Sequence, residues 1–203
     1  MARTLDLWLD LRSPYSFLAM EPAYALEREF GVTFNLRPFA LEIGGAVNLN
    51  DPQVVARGLR KIKYLYADAR RFATPRGLTI LGPKKIFDQK LAHLAWLYAD
   101  KSGKGRTLVD LAYARFFKRE LDYEDRGAID ALLKESGVDP AGFQAFVAGE
   151  GPGELAAHQA EAEKQGVFAV PTFVVDGELF WGQDRIDFVR AKLASKLAPK
   201  LAR

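Results

Sequence analysis

The sequence predicts an α/β fold in which a βαβ unit and a ββα unit together build one sheet, with a large all-helical segment inserted between them. Three observations carry this expectation. Apolar residues alternate with period two only near the two ends of the chain, a Ser-Pro pair and a glycine bracket a helical stretch between the first two strands, and residues 51–165 show helical spacing alone. With 203 residues and 49% hydrophobic positions, the chain has enough apolar surface for one globular domain or a domain carrying a sizeable insertion, which excludes a disordered chain.

The elements follow in order. Residues 5–10 alternate Leu5, Leu7 and Leu9 with Asp6, Trp8 and Asp10, the pattern of a strand with one buried face, and Trp8 implies that the second face is covered too. Ser13 is a favoured N-cap and Pro14 suits the first helical position, so a helix begins there and runs to Phe30, ending at Gly31. Residues 32–38 alternate again, which makes a βαβ unit with a parallel strand pair and a right-handed crossover. Helices are expected over 53–72, 85–102, 105–120, 126–136, 140–148 and 153–165, separated by Gly- and Pro-containing turns. Strand character returns at 172–175. Asp176-Gly177 supplies a two-residue hairpin turn, residues 178–181 form the next strand, and a helix over 184–197 closes the chain. This is the order of a thioredoxin-like fold, with residues 1–45 and 166–203 forming the sheet domain and 46–165 the inserted helical domain.

The composition excludes several functions. With no cysteine, the chain can build neither a disulfide framework nor a thiolate metal site, and any sulfur nucleophile has to arrive as a ligand. The 29 basic residues are dispersed among 26 acidic ones, apart from a run at Arg57, Arg60, Lys61 and Lys63 and a tail at Lys196, Lys200 and Arg203. That describes a solvated surface rather than a nucleic-acid footprint. The N-terminus lacks an apolar signal region and nowhere do 18 apolar residues run together, so a soluble cytoplasmic protein with no membrane partner is expected.

Two motifs carry chemistry. Asp10-Leu11-Arg12-Ser13-Pro14-Tyr15-Ser16 places a hydroxyl at a strand-to-helix junction, where unsatisfied N–H groups and the positive end of the macrodipole stabilise an anion. The plain alternative is a capping serine with Tyr15 and Phe17 packed in the core. A serine-hydrolase site is excluded, because the two histidines, His93 and His158, lie in no acid–nucleophile pattern, and His93 reads as a packed helix residue. The second motif is Gly166-Val167-Phe168-Ala169-Val170-Pro171-Thr172-Phe173-Val174-Val175. A cis Val170-Pro171 bond would leave neighbouring backbone groups free for a ligand, whereas a trans bond would make this an edge strand.

Residues 166–185, ending in Phe180-Trp181-Gly182-Gln183-Asp184-Arg185, together with Ser13-Pro14-Tyr15-Ser16, closely resemble the DsbA-like branch that contains 2-hydroxychromene-2-carboxylate isomerases and kappa-class glutathione transferases. Asn50-Asp51-Pro52 followed by Lys61, Tyr64, Asp68 and Arg70 is similar to the same pattern. The resemblance implies glutathione as cofactor, with Ser13 at the position where disulfide oxidoreductases carry their first cysteine and in contact with the glutathione sulfur. It further implies that Pro14 and Tyr15 line that site, that Val170 ahead of cis-Pro171 pairs its backbone with the cysteinyl part, and that Gln183 and Asp184 receive the γ-glutamyl end. Asn50 matches the asparagine near the thiol. Asn48 is the alternative, since the chain reads Ala46-Val47-Asn48-Leu49-Asn50 where a glycine usually precedes that asparagine.

The implied reaction interconverts 2-hydroxychromene-2-carboxylate and trans-o-hydroxybenzylidenepyruvate by addition and elimination of the glutathione thiolate. Its small aromatic carboxylate substrate calls for apolar walls and a cation, for which Tyr64 and Lys61 or Lys63 are candidates, the alternative being an exposed basic helix face. A kappa-type transferase and a non-catalytic glutathione- or protein-binding module use the same motifs, and a homodimer is open in each case.

Overall fold

The computed structural model describes residues 3–42 and 51–197. Strand β1 (Arg3–Leu9), helix α1 (Pro14–Phe30) and strand β2 (Val32–Pro38) form the expected βαβ unit, with β1 and β2 parallel from Arg3 opposite Val32 to Leu9 opposite Pro38. At the other end, β3 (Thr172–Val175) and β4 (Glu178–Trp181) form a hairpin whose turn residues Asp176 and Gly177 both have positive φ, 55° and 78°, as a primed turn requires. β3 lies antiparallel to β1, so the sheet order is β2-β1-β3-β4. A short 3-10 turn, Gln183–Arg185, leads from β4 into the last helix (Ile186–Leu197).

Between the halves lie α2 (Pro52–Ala73), α3 (Lys90–Asp100), α4 (Gly105–Phe116), α5 (Arg126–Glu135), α6 (Phe143–Ala148) and α7 (Gly151–Lys164), which makes the last helix α8. The chain therefore has the thioredoxin-like architecture with a helical insertion. The helices expected over 140–148 and 184–197 open with 3-10 turns and become α-helical at Phe143 and Ile186, and two others are cut short by specific contacts. The stretch expected over 85–102 begins only at Lys90, because Asp88 turns its carboxylate onto the Lys90 N–H at 2.8 Å while its own N–H donates to Glu124. The helix expected to reach 120 stops at Phe116, ahead of Arg119, whose φ of 64° is incompatible with continuation.

Local chemistry explains α1. Ser13 caps it, Pro14 opens it, and Gly31 closes it in the left-handed region at φ 64°. Pro22 inside the helix has no N–H for the Leu18 carbonyl, and the Arg76 guanidinium donates to that carbonyl instead, at 2.9 Å. Leu5, Leu7 and Leu9 share one buried core with Leu18, Ala19 and Leu26 of α1, and that core continues into α3, α4 and α5. Trp8 is fully buried on the opposite face, against Phe39, Ala162, Val167 and Val170, with its indole N–H donating to Gln165 at 3.0 Å. Both faces of β1 are thus covered, as Trp8 implies. Among the described residues, no helix is long and apolar enough to cross a membrane.

Candidate active site

The sheet topology collects the candidate residues at one end. β1 finishes beside the start of β3, where Trp8 pairs with Thr172, and the end of β4 lies on the other side of β3, where Trp181 pairs with Thr172. The turn leading to Ser13, the Val170-Pro171 bond and the turn of Gln183 and Asp184 therefore leave the sheet at the same edge. The Val170-Pro171 bond is cis. The β1–β3 ladder stops at Thr172, short of Val170, and the Pro171 carbonyl accepts from Gly182 N–H at 2.9 Å. That bond ties the cis-proline segment to the loop that presents Gln183 and Asp184.

Ser13 is nearly buried, at the N-cap of α1, and its Oγ accepts from Ser16 N–H at 3.2 Å. A hydroxyl has one donor besides its acceptor sites, and among the described residues the Ser13 proton has no acceptor, so it can serve a ligand. The first turn of α1 contains no acidic residue, which leaves the positive helix end unneutralised by a side chain of that turn. The arrangement suits an anion.

Beneath Ser13, Asp10 is fully buried and fully occupied. Its carboxylate accepts from Arg12 N–H at 2.7 Å, from the Arg12 guanidinium at 2.8 and 3.1 Å and from Leu41 N–H at 2.9 Å. Arg12 in turn donates to the Leu41 and Phe87 carbonyls at 2.7 and 3.1 Å. A buried ion pair with every lone pair engaged fixes geometry more than it adds stability.

Tyr15 reaches α2, donating to Asp68 at 2.8 Å, and Asp68 also accepts from Arg71 at 2.8 Å. Arg71 lies over the Tyr64 ring, 5.7 Å from its centroid. Burial and the Asp68 hydrogen bond hold the Tyr15 phenol well above its ordinary pKa, with smaller contributions from Tyr64 and Asp184. Tyr15 is therefore a neutral donor, and Tyr64 and Asp184 are both near enough to act on it electrostatically. Gln183 is buried, whereas the Asp184 side chain is about half exposed and folds back over Gly182. Gly182 has φ 119°, and a Cβ there would come within 2.4 Å of an Asp184 carboxylate oxygen, so the close approach requires glycine.

The structure thus brings Ser13, Pro14, Tyr15, Tyr64, Val170, Pro171, Gln183 and Asp184 to one end of the sheet. Lys61 is exposed on α2, and no interaction among the described residues ties it to this group. Asn48 and Asn50 lie outside the described residues. Further residues meet here: Asp10 and Arg12 belong to the motif ahead of Ser13 but have no role assigned in it, and His93, Tyr113 and Tyr123 lie outside it. An acid and an arginine flanking a leucine at the end of a buried strand are a local signal for the first pair. The other three contact residues far away in sequence and leave no such signal.

The sequence matches the family model of the DSBA-like thioredoxin domain over residues 4–194. It is 29% identical to a 2-hydroxychromene-2-carboxylate isomerase of Sphingobium xenophagum over 95% of this chain and 99% of the relative. A second relative of that name, from Pseudomonas putida, is 24% identical over 90% of each chain. Among solved structures, a 2-hydroxychromene-2-carboxylate isomerase superposes with a TM-score of 0.79 at 19% identity, covering 96% of both chains. The cytosolic disulfide reductase DsbM of Pseudomonas aeruginosa with GSH superposes with a TM-score of 0.59 at 20% identity, covering 96% of this chain and 98% of that one.

Proposed function

The chain belongs to the DSBA-like thioredoxin domain family, and from that premise we propose that it is a glutathione-dependent isomerase acting on 2-hydroxychromene-2-carboxylate or a close aromatic relative. One observation carries the reading. A chain without cysteine sets a hydroxyl at the positive end of α1, at the sheet edge shared with a cis-proline. Such a site can stabilise a sulfur anion and supply none of its own, so the sulfur belongs to the ligand.

The residues suit glutathione. Ser13 would donate to its sulfur, Val170 offers backbone outside the β1–β3 ladder to its cysteinyl part, and Gln183 and Asp184 would take the γ-glutamyl end, the Asp184 carboxylate meeting the ammonium. Asn50 or Asn48 completes this assignment from the sequence side. When bound, glutathione supplies a thiolate that can add to a conjugated double bond and leave again unchanged. The protein's work is to hold that sulfur ionised, to orient the aromatic substrate and to keep water away. Tyr15, neutral and anchored to Asp68, and Tyr64 beside it supply an aromatic wall, and Lys61 is the cation proposed for the substrate carboxylate. In this division, residues 1–45 and 166–203 supply most of the contacts to the tripeptide, and residues 46–165 add the asparagine and cover the substrate.

The test is a pair of ultraviolet assays with glutathione present. An absorbance change with the hydroxychromene carboxylate and none with a chlorinated nitrobenzene supports the isomerase. The reverse result replaces it with a transferase, and silence in both leaves a binding module.

A further inference from the structure

The turn that delivers Ser13 is held by more than its own closing bond. Ser13 N–H donates to the Asp10 carbonyl at 3.0 Å, which is sufficient to reverse the chain. Three side chains of the helical insertion nevertheless converge on the same turn. Tyr113 of α4 donates to the Asp10 carbonyl at 3.1 Å, Tyr123 ahead of α5 donates to the Leu11 carbonyl at 3.2 Å, and His93 Nε2 of α3 accepts from Leu11 N–H at 3.4 Å. None of the three is accessible to solvent.

We propose that His93, Tyr113 and Tyr123 are positioning residues for Ser13, fixing the peptides ahead of it so that its hydroxyl points at the bound sulfur. The inference rests on the role proposed for Ser13. Its physical basis is the cost of the arrangement. Accepting at Nε2 places the His93 proton on Nδ1, and that buried Nδ1 has no hydrogen-bond partner among the described residues. Burial also drives the His93 imidazole down to about 4, so it is a neutral acceptor under working conditions, and holds both phenols far above their ordinary range, so they are permanent donors. A core built for stability alone would place apolar side chains here. Leu11 belongs to neither helix nor strand, so these bonds complete no ladder. Their effect is to fix the backbone orientation immediately before Ser13, and catalytic geometry is sensitive to displacements of about 1 Å.

The experiment measures the thiolate absorbance of bound glutathione against pH, together with kcat and KM, in folded Tyr123→Phe, His93→Leu and His93→Gln, with Ser13→Ala as reference. Tyr123→Phe and His93→Leu should raise the thiol pKa and lower kcat roughly tenfold or more with little change in substrate KM. His93→Gln, whose amide oxygen can accept from Leu11 N–H, should restore most of both. A wild-type thiol pKa in Tyr123→Phe and His93→Leu, while Ser13→Ala raises it, overturns the positioning role and leaves the Ser13 reading intact. A wild-type pKa in Ser13→Ala itself overturns that reading and this inference with it. If Tyr123→Phe does not fold, Tyr113→Phe, which leaves the Asp10 carbonyl its bond from Ser13, is read by the same two outcomes.

Discussion

Ser13→Ala separates chemistry from capping. In the folded chain Ser13 Oγ accepts from Ser16 N–H at 3.2 Å, an N-cap bond whose loss costs about 1 kcal/mol of stability. Pro14 at the first helical position and the closing bond of the preceding turn survive the change, so the melting curve should shift only slightly. The hydroxyl proton is a different matter. A hydrogen bond to a charged group is worth about 1.5–3 kcal/mol, and a difference of ~1.4 kcal/mol between protonation states is one pKa unit. If that proton holds the glutathione sulfur as thiolate, Ser13→Ala should raise the bound thiol pKa by roughly one to two units. Turnover near neutral pH should fall roughly ten- to a hundredfold. The assay is the ultraviolet thiolate absorbance titrated against pH in both proteins, with saturating glutathione. Equal thiol pKa values in wild type and variant would refute the reasoning and leave Ser13 a helix cap.

Three further outcomes are expected. Asp184→Ala should weaken glutathione binding measured by calorimetry and leave thermal stability nearly unchanged, because the Asp184 side chain is half exposed and its ion pair among the described residues is with its neighbour Arg185; unchanged affinity would remove Asp184 from the site. Asp10→Asn should lower stability by about 3–5 kcal/mol in chemical denaturation, since it leaves the nearly buried Arg12 guanidinium without its counter-charge; a loss under ~1 kcal/mol would show the pair to be dispensable. His93 gives a pH signature: its imidazole is held near 4 in the native state against 6.5 for the ordinary group, so the unfolded chain takes up the proton first. Its contribution is complete above about 6.5 and is lost as pH falls toward 4, a change of order 3 kcal/mol. Asp100, which burial raises to about 6, acts in the opposite sense, so the difference between wild type and His93→Gln is the quantity to follow. Parallel stability curves for the two proteins between these pH values would contradict the assignment.

The fold was legible in the sequence wherever local rules decide. Ser13, Pro14 and Gly31 mark both ends of α1 through capping and φ alone, Asp176-Gly177 marks the hairpin, and the two strands it joins fall at the residues expected. The late start of α3 at Lys90 was not legible, because it depends on the Asp88 carboxylate accepting from Lys90 N–H while the Asp88 N–H is held by Glu124, 36 residues further on. The same distinction runs through the site. Ser13 and Pro171 sit at junctions that their own neighbours announce, whereas the part proposed for Gln183 and Asp184 comes from the resemblance carried by residues 166–185.

The support of the site follows different physics. The Leu11 N–H finds its acceptor 82 residues away and the Leu11 carbonyl finds its donor 112 residues away, and no periodicity or spacing connects such groups before the chain has folded. Read alone, His93 in Leu91-Ala92-His93-Leu94-Ala95-Trp96 is a packed helix residue, and its burial agrees with that reading. What the reading could not contain is the single acceptor bond that turns a core histidine into a contact on the Ser13 turn. That turn has one hydroxyl, drawn from the thioredoxin-like part of the chain, and its backbone is fixed by three side chains of the insertion. The insertion therefore holds the turn ahead of Ser13, and through it would support the proposed anion site. A sequence that kept Ser13-Pro14-Tyr15 but lost the partners of Leu11 would retain the motif without the geometry it needs.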